Sequence, residues 1–423
     1  MRKLFKNANI YTPKDDGKPA AGKNQGLLNH FPNGAILVEN GIIREIGHED
    51  DVLANINSLC LGSNDIQTEI DCNGQCLIPG FIDPHTHMCF VDTREEEFEM
   101  RLKGISYLEI LEKGGGILSS VTAVRQANEN KLYENTKKHV VSALKYGTTS
   151  MEIKSGYGLD TENELKMLRV IDKIARTTPL DIKASFLGAH AIPPLYSENP
   201  DSFIDLLTNE MLPEVKKQGI AEFCDIFCEQ GVFTIQQSKK VLETAHKLGF
   251  DLKIHADEVH DTGGAGLAAD LGAVTGDHLL AANNKNIEKM TRAGVTAVLL
   301  PGTAYSLRKP YARARYMIEN NLAVALATDC NPGSSYTESM AFIMGLAILN
   351  MKMTPAEAIT GATLNAAYAI NLASKTGSLE SGKQADFLLV NGKSPAIFAY
   401  HAGISPITDV YKTGEKVACI KSS

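Results

Sequence analysis

Two histidines separated by one residue, His85 and His87, follow the apolar residues 80–82. Alternate side chains of a strand point the same way, so both imidazoles would project from one strand end and could hold one metal ion. His255 and Asp329 end later apolar runs in the same manner. Three imidazoles and one carboxylate suit a zinc-like ion and leave room for a water molecule. We therefore predict one metal site with these residues as its ligands.

Two further polar residues lie where they could act on such a water. Glu258 follows His255 by three residues, so its carboxylate could face the water without binding the ion and could carry a proton to a leaving group. His278 ends residues 274–278 and could be a fourth imidazole ligand or a hydrogen-bond donor to an oxyanion. We favour the donor role, because four protein ligands already fill most of the shell. The neighbouring Asp257 is better suited to capping a helix or supporting a ligand.

These residues require a scaffold that brings many strand ends together, and the middle of the chain predicts one. Short apolar strands alternate there with helical patterns, in which apolar residues recur at i, i+3 and i+4, as at residues 165–175 and 238–249. This alternation predicts a (β/α)8 barrel over residues 80–374, in the α/β class, with its chemistry at the C-terminal ends of the strands. The predicted strands end near His87, Ser155, His190, Glu229, His255, His278, Pro301 and Asp329.

Both ends of the chain predict short strands instead. Asn40-Gly41, between two apolar runs, is a strong signal for a hairpin. Residues 377–390 return to the same strand-like pattern. We predict that residues 1–79 and 375–423 together form a small β-sandwich domain beside the barrel.

Composition narrows the classes of function. The chain has 423 residues, 43% of them hydrophobic and 22% charged, with a net charge of −8, as in ordinary soluble globular proteins. No run of lysine and arginine favours nucleic acid, and no apolar run approaches the ~18 residues needed to span a membrane. The eight cysteines are scattered, which favours buried reduced thiols and a cytoplasmic location.

Several longer motifs resemble those of the amidohydrolase superfamily, and the resemblance extends over nearly the whole chain. His-x-His alone is common to that superfamily, whereas Lys-Ser-Gly-Tyr-Gly at residues 154–158 and Leu-Gly-Ala-His-Ala at 187–191 are more specific. Both resemble members that hydrolyse the cyclic amide of 4-imidazolone-5-propanoate to N-formimidoyl-L-glutamate, the third step of histidine degradation. The other matching motifs lie at residues 83–87, 255–258, 275–278 and 328–334.

The resemblance implies which residues contact such a substrate. It places Arg94 on the propionate carboxylate, for which a planar guanidinium is well suited. Without the family, an ion pair with residues 95–97 is the ordinary interpretation of Arg94. Tyr107 is a weaker candidate, with ordinary packing as its alternative. The remaining substrate contacts that the resemblance implies are Tyr157, His190, Glu258, Asn331, Gly333 and Ser334.

The implied reaction gives a role to each predicted catalytic residue. A single divalent ion, Zn²⁺ or Fe²⁺, would lower the pKa of water for attack on the ring carbonyl. His278 would stabilise the oxyanion and Glu258 would move the proton to the departing ring nitrogen, with Asp329 as the alternative acceptor of the first proton. Relatives that hold two ions often bridge them with a lysine on the fourth strand; residues 223–229 contain none, and Lys154 lies on the second strand. The resemblance also implies a homodimer.

Two other functions are compatible with the pattern. Deaminases of the cytosine or guanine type also use His-x-His, a His-x-x-Glu motif, a sixth-strand histidine and an eighth-strand aspartate. Release of ammonia from a nucleobase or pterin would favour them, whereas Arg94 and the Gly-Tyr-Gly at residues 156–158 favour hydrolysis of the imidazolone ring. A non-catalytic relative is the second alternative, but such chains usually lose ligands, and all the predicted ligands are present here.

Overall fold

The computed structural model describes residues 1–58, 66–105, 109 and 114–419. Within these ranges the strands form two sheets, a barrel of parallel strands and a separate sheet built from both chain ends. In chain order the strands are β1 (Arg2–Pro13), β2 (Leu28–Glu39), β3 (Ile42–His48), β4 (Thr68–Asp71), β5 (Cys76–Pro79), β6 (Phe81–Asp83), β7 (Thr148–Lys154), β8 (Asp181–Ala189), β9 (Phe223–Cys228), β10 (Asp251–Ala256), β11 (Thr275–His278), β12 (Thr296–Leu299), β13 (Val324–Leu326), β14 (Phe387–Val390), β15 (Ile407–Lys412) and β16 (Glu415–Cys419).

Most of the α-helices lie between the barrel strands or follow them. In chain order they are α1 (Glu49–Ser58), α2 (Glu95–Leu102), α3 (Ile117–Gln126), α4 (Glu129–Lys145), α5 (Thr161–Thr177), α6 (Pro200–Leu206), α7 (Leu212–Gln218), α8 (Ile235–Lys247), α9 (Gly264–Leu271), α10 (Asn284–Ala293), α11 (Pro301–Leu307), α12 (Ala314–Glu319), α13 (Met340–Asn350), α14 (Pro355–Ala362), α15 (Leu364–Ala369) and α16 (Ile397–Tyr400). A π-helical turn, Leu207–Met211, joins α6 to α7, and short 3₁₀ turns occupy Gly22–Gly26 and Pro194–Tyr196.

The barrel strands pair in chain order from β6 to β13. The first and last strands meet just beyond their ends, at a parallel bridge between Thr86 and Cys330. There the amide of Asp329 donates to the carbonyl of His85 at 3.1 Å, and the amide of His87 donates to the carbonyl of Cys330 at 3.0 Å. The predicted (β/α)8 barrel is confirmed, and its closure brings together residues that are far apart in the sequence.

The helices predicted from periodicity cover the outside of the barrel. Helix α5 begins after Asp160, whose carboxylate accepts the amide of Asn163 at 2.8 Å. Helix α8 begins with a capping box between Thr234 and Gln237. Each helix buries one apolar stripe and exposes its charged face. Gly249, just after α8, has a φ of 80°, the left-handed conformation in which glycine often ends a helix.

Strands from both chain ends form the second sheet, as predicted. Its order is β16-β15-β14-β5-β1-β2-β3, with β4 also beside β1. Strand β5 joins the two ends, since it pairs parallel to β1 and antiparallel to β14. Asn40 and Gly41 turn the β2–β3 hairpin with φ of 51° and 83°, as a two-residue hairpin requires. In the apolar core formed by these strands, Phe5 packs edge-on against Phe387 and Tyr411, with ring centroids 4.8 and 5.1 Å away.

The N-terminal segment that contains Ala20 and Gln25 packs on the barrel. The side-chain amide of Gln25 donates to the carbonyl of Val324 at 2.9 Å and accepts from its amide at 3.0 Å. The side chain of Asn365 donates to the carbonyl of Ala20 at 2.9 Å. The domain boundaries predicted at residues 79/80 and 374/375 stay a prediction. They assign the segment around Ala20 and Gln25 to the small domain, although this segment contacts the barrel.

The cysteines of the described ranges form no disulfide. Most are buried, and Cys419 is exposed. Burial raises the pKa of Cys76 to about 12, so this thiol stays protonated and unreactive. Across the described part of the chain, no helix combines the length and the apolar character needed to cross a membrane.

Candidate metal centre and active site

Four side chains at the C-terminal mouth of the barrel bring one coordinating atom each to a common point. The Nε2 atom of His87 lies 3.2 Å from Nε2 of His85 and 3.3 Å from Nε2 of His255. The Oδ1 atom of Asp329 lies 3.4 Å from Nε2 of His87 and 3.7 Å from that of His85. Ligands about 2.0–2.1 Å from a tetrahedral zinc ion lie about 3.3 Å from one another. These four distances are close to the spacing that one such ion needs, and ligation stays a prediction. His278 lies with His85 and His255 in a second group that could hold an ion, so its two predicted roles, ligand and hydrogen-bond donor, both stay open.

Two buried carboxylates determine which imidazole nitrogens face this centre. Asp277 Oδ2 lies 2.6 Å from His85 Nδ1, and Asp225 Oδ2 lies 3.1 Å from His255 Nδ1. A carboxylate beside Nδ1 keeps the proton there and leaves the lone pair of Nε2 for a metal. Burial also holds the pKa of His85 and His87 well below its usual value, so both imidazoles are neutral and able to ligate.

Replacing Asp277 by asparagine is expected to weaken metal binding by about 10–100-fold. The amide keeps the shape of the side chain but removes the charge that holds the proton on Nδ1 of His85. Competition with a chromogenic chelator measures the affinity. Asp270→Asn is the matched control, because Asp270 lies on the surface in an ion pair with Lys289. Equal affinity in Asp277→Asn and the unaltered protein would contradict this role.

A buried ion network adjoins the centre. The ammonium of Lys154 lies 2.7 Å from Glu152 Oε1 and 2.8 Å from Asp225 Oδ2, and all three side chains are fully buried. Burial disfavours the charge on Lys154, but Asp225 and Glu152 outweigh it and raise the pKa of Lys154 above its usual value. An ammonium held in this way is unsuited to become a carbamate between two metal ions. The network therefore supports the prediction of a single ion.

Sequence analysis did not single out Asp225, Asp277 or Glu152 as members of the site. A signal for them exists, because a charged residue inside an apolar barrel strand must face other charged groups in the interior. Glu152 and Lys154 are two residues apart on β7 and so share a face. The same spacing relates Lys253 to His255 on β10.

Glu258 and His278 face each other at the edge of the centre. Glu258 Oε2 lies 3.8 Å from His278 Nε2. Burial raises the pKa of Glu258 to about 7; His255 acts against this rise and Glu229 adds to it. Burial lowers the pKa of His278 to about 4. Near neutral pH, Glu258 can therefore take up or release a proton, while His278 is neutral and can donate one ring hydrogen bond.

Both carboxylate oxygens of Asp329 are engaged. Oδ1 faces His85 and His87, which with His255 form the histidine cluster. Oδ2 accepts a hydrogen bond from the hydroxyl of Thr303. Thr303 lies in α11, directly after the seventh barrel strand, and the sequence carried no motif for it. This contact orients the carboxylate so that one oxygen points to the centre.

Aromatic side chains line one side of the centre. The ring of His190 stacks on that of His87, with centroids 4.9 Å apart and an angle of 18° between the planes. The Nδ1 atom of His190 lies 3.0 Å from the carbonyl of Gly156, which fixes the ring. Burial lowers the pKa of His190 to about 3, so it is neutral. The ring of Tyr157 lies 5.3 Å from that of His190, so the structure brings both predicted substrate contacts close to His87.

The loop that carries Tyr157 is built around a buried carboxylate. Glu164 accepts hydrogen bonds from the amides of Gly156, Gly158 and Leu159 at 3.0, 2.7 and 2.8 Å. Gly156 has a φ of 110°, a conformation open to glycine. A Cβ atom on Gly158 would lie 2.5 Å from the amide nitrogen of Glu164. The glycines of the Gly-Tyr-Gly motif thus let the backbone wrap this carboxylate and present Tyr157.

Arg94 makes the ion pair that its sequence neighbours suggest. Its guanidinium lies 2.9 Å from Glu97 Oε2, and its side chain is 13% exposed. It also lies against the loop that follows Asp329, since a Cβ atom on Gly333 would be 2.7 Å from Arg94 Nη1. The ion pair of Arg94 is therefore present, and its contact with a substrate carboxylate stays a prediction.

The residues after Asp329 form a compact turn. The side-chain oxygen of Asn331 accepts the amides of Gly333 and Ser334, both at 2.8 Å, and its side-chain nitrogen donates to the carbonyl of Asp329 at 2.7 Å. Asn331 therefore shapes the turn, and Gly333 is the member in contact with Arg94. The other predicted contact, Tyr107, lies outside the described residues.

The barrel and its histidine-rich centre are the architecture of one large family of hydrolases. The sequence model of the amidohydrolase family matches residues 76–417. Guanine deaminase of E. coli has the same fold, with a TM-score of 0.74, 14% sequence identity and 100% of both chains covered. At that identity, the likeness shows the fold alone. By its family match, the chain belongs to the amidohydrolase family.

Relatives of much higher identity narrow the comparison. An imidazolonepropionase of Desulfotalea psychrophila is 63% identical over 414 residues, which cover 98% of this chain and 99% of the relative. An imidazolonepropionase of Syntrophobacter fumaroxidans is 57% identical over 411 residues, which cover 97% of this chain and 96% of the relative. Within the amidohydrolases, these relatives group the chain with the imidazolonepropionases.

Proposed function

We propose that this chain hydrolyses the ring C–N bond of 4-imidazolone-5-propanoate and releases N-formimidoyl-L-glutamate, the third step of histidine degradation. The observation that carries the proposal is the 63% identity to an imidazolonepropionase over 98% of the chain. The site supports it, because the residues predicted for metal binding, proton transfer and oxyanion stabilisation converge at one end of the barrel.

A substrate panel tests this proposal against the deaminase alternative. The purified protein, loaded with one equivalent of metal, should remove the ultraviolet absorbance of freshly prepared imidazolone propanoate. Guanine, cytosine and adenosine form the comparison set, with ammonia as the measured product. Ammonia release from one of them, without consumption of the imidazolone, would favour a deaminase instead.

The histidine cluster is proposed to hold one divalent ion, Zn²⁺ or Fe²⁺, because both accept imidazole and carboxylate ligands. Such an ion, when bound, lowers the pKa of water and polarises a carbonyl group. The chain contributes the geometry: Asp277 and Asp225 direct the Nε2 lone pairs of His85 and His255 to the centre. Thr303 turns Oδ1 of Asp329 to the same point.

Glu258 is the residue that we assign to both proton transfers. It takes a proton from the attacking water as the bond between the water oxygen and the ring carbonyl carbon forms. It then delivers that proton to the ring nitrogen as the C–N bond breaks, so one water is consumed and the carboxylate is regenerated. A pKa of about 7 suits a group that must act in both directions. Asp329 is less suited, because Thr303 already occupies its second oxygen.

His278 is proposed to stabilise the oxyanion that develops on the ring carbonyl oxygen. Its low pKa keeps it neutral, so one ring nitrogen carries a proton that can be donated. It lies beside Glu258, so the donor and the proton carrier share one side of the centre. His190 and Tyr157 occupy the His87 side, where they can contact the planar imidazolone ring.

Arg94 is proposed to bind the propionate carboxylate, and Arg94→Ala is therefore expected to raise KM by about 30–100-fold through loss of a charge-assisted contact. The metal content should not change. Steady-state kinetics measure the effect, with Arg94→Lys as the variant that restores the charge without the planar fork. Arg44→Ala is the control, since Arg44 forms an exposed pair with Glu39 in the small sheet. An unchanged KM would remove Arg94 from the carboxylate site.

We further propose that the protein is a cytoplasmic homodimer. The free buried thiols fit a reducing compartment. Helix α13 is apolar on almost every side, yet Phe342 is 37% exposed and Leu349 66% exposed, with Tyr400 and Ile404 exposed in the adjoining segment. An apolar surface of this kind is typical of a subunit contact.

Leu349→Glu is expected to change the protein from a dimer to a monomer, because it places a charge in this apolar surface. Analytical ultracentrifugation measures the mass. Leu195→Glu is the matched control, since Leu195 is 86% exposed in the 3₁₀ turn that follows β8. A dimer that persists in Leu349→Glu would exclude this surface as the contact.

A further inference from the structure

Glu229 follows the fourth barrel strand and is almost fully buried, yet the proposed mechanism gives it no role. Its exposed fraction is 4%. Oε2 accepts the backbone amides of Val259 and His260 at 2.9 and 3.4 Å. Oε1 accepts the amide of Gln230 at 2.8 Å and lies 3.0 Å from Nδ1 of His260. A buried carboxylate with this many partners is tightly fixed.

The residues that Glu229 holds come directly after Glu258. On the other side of Glu258, Asp257 is fixed just as firmly, because its carboxylate accepts the amides at the start of α9, including those of Gly264 and Ala265 at 3.0 and 2.9 Å. This is the capping role expected for Asp257. Glu258 therefore sits between two anchored neighbours, one tied to the next helix and the other tied across to the neighbouring strand end.

We propose that Glu229 is a positioning residue that holds Glu258 in place for proton transfer at the metal centre. This inference rests on the proposed function, in which Glu258 carries the proton. The physical argument is one of pre-organisation: a proton carrier must stay within hydrogen-bond reach of both water and leaving group. Glu258 is on a loop, and in the described part of the chain its side chain makes no contact with a polar group closer than the long 3.8 Å approach to His278, so its backbone neighbours hold it in place.

Four titratable side chains, each from a different barrel strand end, surround Glu258. His255 lies on its own strand end, Glu229 on the preceding strand end, His278 on the following one and Asp329 on the last. Of these groups, Glu229 is the one that hydrogen-bonds to the backbone of the loop after Glu258. The other three act on Glu258 through space, so among these four side chains Glu229 is the one whose loss would displace it.

A double-mutant cycle tests this assignment. Glu229→Gln keeps the size of the side chain but replaces one acceptor oxygen with an NH₂ group that faces other donors. In the unaltered background it should lower kcat by about 10–100-fold, with KM within about twofold and the metal content unchanged. In a Glu258→Gln background it should change kcat by less than about twofold, because the group it positions is already disabled.

Glu164→Gln is the matched control, because Glu164 is also a buried carboxylate that accepts backbone amides, but on the loop of Tyr157. It should raise KM and should lower kcat/KM by the same factor in both backgrounds. If Glu229→Gln accumulates unfolded, Glu229→Asp, which keeps the charge and shortens the reach, takes its place in the cycle.

Two results would overturn the inference: turnover in Glu229→Gln equal to that of the unaltered protein, or the same fold-loss in both backgrounds. Absence of turnover in the unaltered protein would instead count against the proposed function, so the two failures are distinguishable.

Discussion

Replacing Glu258 by glutamine is expected to lower kcat by about 10²–10⁴-fold while the protein keeps its metal ion. Glutamine has the size of glutamate but cannot take a proton from water. The largely enclosed position that raises the pKa of Glu258 to about 7 suits this group to a transfer that glutamine cannot make. Steady-state kinetics and metal analysis of the same sample measure both quantities.

Glu222→Gln is the matched control for this experiment. Glu222 is an exposed partner of Lys183 just before the fourth barrel strand, so the same change of charge occurs outside the site. It should leave kcat unaltered. Turnover in Glu258→Gln close to that of the unaltered protein would remove Glu258 from the proton path and move Asp329 into its place.

Removal of the metal is expected to lower activity by about 10³-fold or more, because the activation free energy for attack by water would rise by several kcal/mol without the ion. Dialysis against a chelator prepares the metal-free protein, and one equivalent of Zn²⁺ or Fe²⁺ should restore the rate. The melting temperature should fall on removal, since an ion that binds the folded state stabilises it. Stoichiometric titration should reach its end point at one ion per chain.

His85→Ala is the variant that ties this loss to the proposed site. It should bind the ion much more weakly, because it removes one ligand and the partner of Asp277. His30→Ala is its control, since His30 is exposed in the small sheet and stacks on Tyr11. Full activity without metal, or unchanged metal binding in His85→Ala, would contradict the proposed centre.

The sequence predicted the barrel and the convergence of the ligand residues for a physical reason. Side chains two apart on a strand share a face, and the C-terminal ends of parallel barrel strands share one mouth. These two rules suffice to bring His87 close to His85, His255 and Asp329. They also place Glu258 and His278 at the rim without knowledge of loop conformation.

The residues that support this cluster could not be paired from sequence in the same way. His85 lies beyond the first barrel strand and Asp277 on the sixth, so their 2.6 Å contact crosses the interior and depends on the closure of the whole barrel. The carboxylates of Glu164 and Glu229 accept hydrogen bonds from backbone amides. Every residue except proline has such an amide, so the sequence does not indicate which ones these carboxylates bind. The contact of Gln25 with Val324 likewise depends on how the N-terminal 3₁₀ turn packs on the barrel.

The most direct test of the proposed function is isotope incorporation during turnover. The metal-loaded protein is incubated with 4-imidazolone-5-propanoate in H₂¹⁸O, and the product is analysed by mass spectrometry beside a protein-free sample. Hydrolysis of the ring C–N bond predicts N-formimidoyl-L-glutamate with one ¹⁸O atom in the newly formed carboxylate, produced far faster than in the protein-free sample. Unconsumed substrate, or a product whose ring is intact, would contradict the proposed function.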